Sequence, residues 1–590
     1  MSTAYFKLRA NVELEGDTII AQREIKALCS KFSLVKRNEL IKSRQQLKLA
    51  EEHFLSNARE GDVIGFIGEI TEGNLNTLIT KSSFVQEIWL LDLPTKLKRN
   101  HSKDYIQQAP DSAFCIVPLF AMAELLTYCK TSEINLSHLR TFTQHLANNT
   151  PDGELEKIVR KSTTSTPHVH GLHKYKAKFF PRLVRTLLLG ESRDKSDIKI
   201  LDPFVGSGTA LIEASFMGYK SVGVDIDKLS CLISESKIKL LSLPVDKIQK
   251  EVAEYYTGRS SSKSEYKFPS WISKKFDRWG NVDEREVYEK EISNLTKRLP
   301  NLNGSKKLFE TAISDAVSRK FNIRMMGTGV GRFALEIQKL PLNRTFDNNI
   351  KFLAKASSVV NALRAAYEIE LKTPEIINGT ATELPIKDSS IDLILTSPPY
   401  LPASSGREDY LIGKSISITA LNLMSERDIE LAEERSVGSM KSLSTNDAQQ
   451  LPKSVYELYD FLKNDELRKI KANPTIAYYN DIRRALDESF RVLVPGGKAI
   501  YIIGKESVFY TFKSREVLFK VECDKIFEEM AKKAGFIVRE VVDIELNKKN
   551  KNARPRSLDK YFESALILEK PKVPAKRRST KKSTRVILTK

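Results

Sequence analysis

The run Ile198-Lys199-Ile200-Leu201, followed by Asp202-Pro203-Phe204-Val205-Gly206-Ser207-Gly208-Thr209, leaves few folds open. The apolar run reads as a strand, and the glycines let the backbone turn tightly and approach a ligand before a helix begins at Ala210. A further strand, Ser221-Val222-Gly223-Val224, ends in Asp225-Ile226-Asp227. That is roughly 20 residues beyond the glycines, the spacing at which a carboxylate meets a ribose diol. Strand, turn, helix and acid-tipped strand in this order open a doubly wound α/β sheet. The loop lacks a Gly-Lys-Ser/Thr ending, which argues against a nucleotide phosphate cradle.

A second constellation lies downstream. Ile391-Asp392-Leu393-Ile394-Leu395 reads as a buried strand, capped by Thr396-Ser397-Pro398-Pro399-Tyr400. Two prolines stiffen the turn and remove two backbone donors, so that carbonyl oxygens can face a ligand's N–H groups. Ser397 adds a polar acceptor and Tyr400 a ring face for stacking. This set suits a grip on a planar base through its exocyclic amine. The plainer alternative is a strand exit that Pro-Pro merely ends.

At 590 residues the chain needs two or three domains. Its 41% hydrophobic and 29% charged residues describe a globular protein. Lys+Arg of 95 against Asp+Glu of 75 leaves a net charge of +20, which favours a polyanionic partner, DNA or RNA. Residues 571–590 carry eight basic residues and no acid, and read as a disordered arm for non-specific phosphate binding or as a solubilising end. The five cysteines (Cys29, Cys115, Cys129, Cys231 and Cys523) are scattered without a Cys-x-x-Cys, which points to a reducing cytoplasm and away from disulfides or a zinc ribbon. The longest apolar stretch, around Cys115 to Leu126, is broken by Glu124 and too short to span a bilayer, so no membrane partner is expected. His168, His170 and His173 invite a metal, but no acid or cysteine lies near them in the chain. We expect them to position a cofactor or phosphate, with no metal.

The two constellations together resemble the amino-methyltransferases that use S-adenosylmethionine to methylate exocyclic nitrogens of nucleic-acid bases. His173-Lys174-Tyr175-Lys176-Ala177-Lys178-Phe179-Phe180-Pro181 resembles their segment around the methionine end of the cofactor. Asn378-Gly379-Thr380 resembles the third cofactor motif, with Thr380 where Asp is usual; its hydroxyl can accept one hydrogen bond. Arg491 to Lys498 and Glu563 to Lys570 are similar to the later turn and the last strand. The resemblance implies a doubly wound, Rossmann-like methyltransferase sheet. It implies a cofactor site of Lys178, Phe179, Asp202, Phe204, Gly206, Gly208, Thr209, Asp225, Ile226 and Thr380. It makes Ser397, Pro398, Pro399 and Tyr400 the catalytic turn, acting on a base flipped out of duplex DNA.

No cysteine follows a proline, which disfavours carbon-5 cytosine chemistry. Ser before Pro-Pro-Tyr ranks cytosine N4 first and adenine N6 second. The opening from Ala4 to Leu28 resembles tRNA guanine-N2 methyltransferases with a THUMP domain, the chief competing reading. A silent nucleic-acid-binding scaffold is the remaining one. The expected organisation is a separate N-terminal α/β domain at 1–150 and a methyltransferase domain at 165–573. An insertion at about 240–370 is the candidate for target recognition, with Leu401 to Asn473 second, and the basic tail occupies 574–590.

Overall fold

The computed structural model describes residues 1–9, 15–39, 43, 51, 62–98, 103–148, 167–175, 179–192, 197–258, 265–299, 305–325, 333–401, 411–439, 451–511, 514, 516–546, 561–572 and 585–586. Lys178 and most of the basic tail lie outside them, as does most of the Met325-to-Phe333 loop.

The N-terminal region builds a sheet from β1 (Ser2–Leu8), β2 (Cys29–Lys36), β3 (Val63–Ile70), β4 (Val85–Leu90), β5 (Ile106–Gln108) and β6 (Phe114–Ile116), ordered β2-β3-β1-β4-β6-β5 with every pairing antiparallel. Helices Glu15–Leu28 and Leu119–Thr127 carry its core towards the rest of the chain.

The larger sheet begins with β7 (Lys199–Asp202) and β8 (Lys220–Asp225). Between β8 and the next strand of that sheet, the described residues form six helices and a hairpin of β9 (Phe321–Met325) and β10 (Phe333–Ile337). The sheet resumes with β11 (Glu375–Asn378), β12 (Ile391–Thr396) and β13 (Leu493–Gly504). The hairpin of β14 (Glu506–Tyr510) and β15 (Val517–Glu522) precedes β16 (Ile537–Leu546) and β17 (Tyr561–Glu569), and β18 (Arg585–Val586) pairs along β16. The order is β11-β8-β7-β12-β13-β17-β16-β18, parallel through β13 and antiparallel on both sides of β17. This is the doubly wound, Rossmann-like arrangement. Apolar runs in β7 and β12 form its centre because helices cover both faces, and most of their side chains are buried.

Two consequences place the site. β7 pairs with β8 on one side and β12 on the other, which puts the topological switch point between β7 and β12. Ligands of open α/β sheets bind in that crevice, beyond the carboxyl ends of the strands. The register Leu393↔Ile200 and Ile394↔Leu201 then brings Thr396 level with Asp202, and the Thr396 hydroxyl donates to Asp202 Oδ1 at 2.7 Å.

The N-terminal sheet is bolted to the larger one. Buried Glu24 accepts from Ser83 N, Phe84 N and, at 2.7 Å, the hydroxyl of Thr186 on helix Pro181–Ser192. Arg182 of the same helix donates to Glu124 at 2.9 Å, and Arg9 pairs with the other Glu124 oxygen. Helix Leu342–Tyr367 of the insertion docks there too, its Tyr367 hydroxyl donating to Val117 O at 2.6 Å.

Candidate active site

Gly206 and Gly208 make the turn at the end of β7 with φ of +50° and +76°, a region costly to residues with a Cβ. Helix Thr209–Phe216 starts directly after them. Two neighbours hold the turn: the Ser234 hydroxyl donates to Gly206 O at 3.0 Å and buried Lys237 donates to Ser207 O at 2.7 Å. The backbone N–H of Gly206 is directed at Asp225 Oδ2, 2.8 Å away at the tip of β8.

A cavity opens above this turn, lined by Tyr175, Phe179, Asp202, Phe204, Val205, Gly206, Ser207, Thr209 and Ser397. The glycine loop and the Ser-Pro-Pro-Tyr turn, nearly two hundred residues apart in sequence, therefore share one space. Ser397 is half-buried at its wall, whereas Tyr400 is 38% exposed. Tyr478 donates to the Pro399 carbonyl at 3.0 Å, and the Tyr400 hydroxyl donates to Glu563 of β17 at 2.5 Å.

Burial governs the site's acids. It pushes the Asp202 carboxyl up to about 7, against hydrogen bonds from Thr396 and Phe204 N that favour the ion. Asp225 rises to about 6 through burial and the neighbouring Asp227 charge; Asp227 itself is held down, because the Lys414 ammonium 2.6 Å away outweighs its burial. Tyr400 is raised by burial and by Glu563, so it stays a neutral phenol.

Of the residues expected in the cofactor site, Phe179, Asp202, Phe204, Gly206 and Thr209 line the cavity. Gly208 supports the turn from behind, against Ser234. Asp225 and Ile226 lie at the tip of β8, where the Asn378 amide donates to both their carbonyls at 2.9 and 3.1 Å. The Thr380 hydroxyl is engaged with Thr382 at 2.9 Å. Tyr175, Val205, Ser207, Lys237, Lys414 and Glu563 were absent from the expected site. Tyr175 sits inside the segment quoted for the resemblance, but Lys414 and Glu563 come from distant segments and carry no local signal.

The histidines take a different form from the expectation. An acid does reach them, from a separate helix: Glu213 shares a hydrogen bond of 2.6 Å with His170 Nε2 and lies 3.8 Å from His168 Nε2, all fully buried. The three could hold a metal by proximity. Arg185, however, places its own cation 3.2 Å from the second Glu213 oxygen, where it already supplies the counter-charge. His173 turns away to Ser314 at 3.0 Å.

The cavity fits S-adenosylmethionine in chemistry as well as position. It offers the buried Asp202 carboxyl, which a ligand ammonium would ionise, and aromatic faces at Tyr175, Phe179 and Phe204 for a sulfonium. Thr209 Oγ1, on the cavity wall, is buried with no hydrogen-bond partner among the described residues. Strand order, glycine loop and acid-lined crevice together define a doubly wound, Rossmann-like sheet with a ligand crevice at its switch point.

Several known proteins resemble parts of this chain. A family described as DNA methylase matches residues 47–236, less than half of the chain, and that stretch includes the glycine loop and Asp225. The chain is similar to the type II methyltransferase M.MjaII of Methanocaldococcus jannaschii, 46% identical over 85 residues, which are 14% of this chain and 15% of that protein. It is also similar to the type II methyltransferase M.MvaI of Kocuria varians, 25% identical over 63% of this chain and 83% of that one. Among solved structures, a SAM-dependent methyltransferase from Methanosarcina mazei superposes with a TM-score of 0.23 at 12% identity, covering 64% of this chain and 94% of its own.

Proposed function

We propose that this chain methylates DNA on an exocyclic amine, with N4 of cytosine as the target and S-adenosylmethionine as the methyl donor. The observation that carries this is the shared cavity: Ser397 opens onto the same space as Asp202 and the glycine loop. A methyl on a sulfonium held by that loop and an amine held by the turn would meet at near-attack distance, which supplies much of the acceleration.

An amine conjugated to a base ring is a poor nucleophile, because its lone pair is delocalised. Ser397 Oγ and the Pro398 carbonyl accept its hydrogens, draw it towards a pyramidal geometry and stabilise the positive charge that develops on nitrogen. The Pro399 carbonyl is already used by Tyr478, which fixes the turn. Tyr400, anchored by Glu563, presents its ring for stacking on a flipped base. The type II methyltransferase relatives favour DNA as the polyanion, and the net charge of +20 suits it.

The deciding experiment incubates the protein with labelled S-adenosylmethionine and either duplex DNA or tRNA, followed by mass spectrometry of the nucleosides. N4-methylcytosine is expected. N6-methyladenine would move the assignment to the second base, and label in tRNA alone would overturn the DNA reading.

A further inference from the structure

Lys414 is the most unusual side chain near the cavity. It belongs to the segment that follows the catalytic turn, a short 3-10 turn Ile412–Lys414 leading into helix Ser415–Ala420. Its ammonium reaches back to the cofactor side, 2.6 Å from Asp227 Oδ2, 3.0 Å from the Tyr175 hydroxyl and 3.3 Å from Ser230 Oγ. It also lies 4.4 Å from the centre of the Tyr175 ring. Tyr175 in turn covers the glycine turn, its ring edge 3.5 Å from where a Cβ on Gly206 would be. Asp202, Tyr175 and Cys231 also face the Asp225–Asp227 pair, and Lys414 is the cation hydrogen-bonded to it.

The remainder of the segment also reaches the insertion. Ser417 contacts Ser318 at 3.2 Å and donates to Ser314 O at 3.3 Å, while Thr419 meets the Tyr266 hydroxyl at 3.3 Å. One flexible side chain thus spans from the target side of the crevice to the acids at the tip of β8.

We propose that Lys414 is a positioning residue of the cofactor site, balancing the Asp225–Asp227 pair and holding Tyr175 over the glycine turn, so that cofactor binding orders the segment behind the catalytic turn. This rests on the methyltransferase reading. Burial opposes the Lys414 charge, but Asp227 and Tyr175 outweigh it and keep the ammonium protonated. With that cation removed, Asp225 would hold its proton to higher pH and accept a ribose hydroxyl less well.

The test is calorimetric titration of the full chain with S-adenosylhomocysteine, an unreactive probe of the same site, from pH 6 to 9. Lys414→Met should weaken binding about tenfold at pH 7 and move the half-maximal pH upward by about 1 to 2 units, as loss of an adjacent opposite charge does. Lys414→Arg, which keeps the charge, should restore the wild-type pH profile. Tyr175→Phe, which loses only the hydroxyl, should weaken binding about threefold, and tests the link even if Lys414→Met does not fold. Hydrogen exchange should show residues 411–423 protected by the probe in the wild type and unprotected in Lys414→Met. Wild-type affinity and pH profile in both Lys414→Met and Tyr175→Phe would overturn the proposal while leaving the methyltransferase reading intact. A wild-type chain that fails to bind the probe would sink both.

Discussion

Ser397 and Asp202 share one cavity wall, and under the proposed function they would serve different steps that single substitutions should separate. Ser397→Ala removes an acceptor needed only as charge develops on the amine, so kcat should fall about 10²- to 10³-fold while the cofactor Kd changes less than twofold. Equal loss of cofactor affinity in a titration would reject that division. Asp202→Asn should do the reverse, weakening cofactor binding at least about tenfold through loss of a charge-assisted contact. The sign of the pH dependence follows from the raised carboxyls. Asp202 and Asp225 ionise only above about 7 and about 6, so cofactor affinity should rise from pH 5.5 to 8 and then level off. Because burial makes their charged forms costly, the ligand-free fold loses stability as pH rises from the ordinary carboxyl range near 4 to about 7, and is level above that. Asp202→Asn should therefore not lower Tm at pH 8, which a melting curve without ligand would check.

At the scale of elements, the turn after β7 is the part most sensitive to a single methyl group. A Cβ on Gly208 would sit 2.9 Å from Ser234 Oγ, on a backbone with φ of +76°. The left-handed conformation alone costs roughly 1–2 kcal/mol for a residue with a Cβ, and Ser234 would release Gly206 O to make room. Gly208→Ala should lower Tm by a few degrees, about 2–4 °C for a chain of this size or less, and weaken cofactor binding more than Thr209→Ala does. Much of this architecture was legible in the chain. The apolar runs at 198–201 and 391–395 become β7 and β12, and the stretch read as a helix from Ala210 is Thr209–Phe216. Local periodicity and turn chemistry suffice there because both strands are buried on two faces. Helix Leu342–Tyr367 of the insertion opens with polar turns that packing rather than composition stabilises.

Across the whole molecule, the N-terminal sheet and the catalytic sheet share buried polar contacts that neither could satisfy alone. Arg182, Glu124 and Arg9 meet between them, and Glu24 collects donors from Ser83, Phe84 and Thr186. Breaking such a group leaves an uncompensated buried charge, at about 3–5 kcal/mol. Arg182→Ala should lower the urea midpoint accordingly, although Arg182 touches no part of the cavity wall. A fragment beginning at residue 167 should fail to fold cooperatively by circular dichroism, since Arg182 and Arg185 would lose Glu124 and the Thr80 carbonyl. DNA affinity should fall steeply with added salt, in keeping with an excess of 20 positive charges.

Read alone, the order of residues was enough to establish a doubly wound sheet, a glycine turn with an acid about 20 residues on, and a rigid Ser-Pro-Pro-Tyr turn at a strand end. Those features are written in short stretches, where neighbours in the chain set the backbone. Tertiary structure alone decided that the turns at 206 and 397 face one cavity, that Glu213 and Arg185 close the histidine cluster, and that Lys414 and Glu563 reach Asp227 and Tyr400 from distant segments. Charges and hydroxyls act across space at about 3 Å, and which ones meet depends on strand order and helix packing that no local pattern encodes.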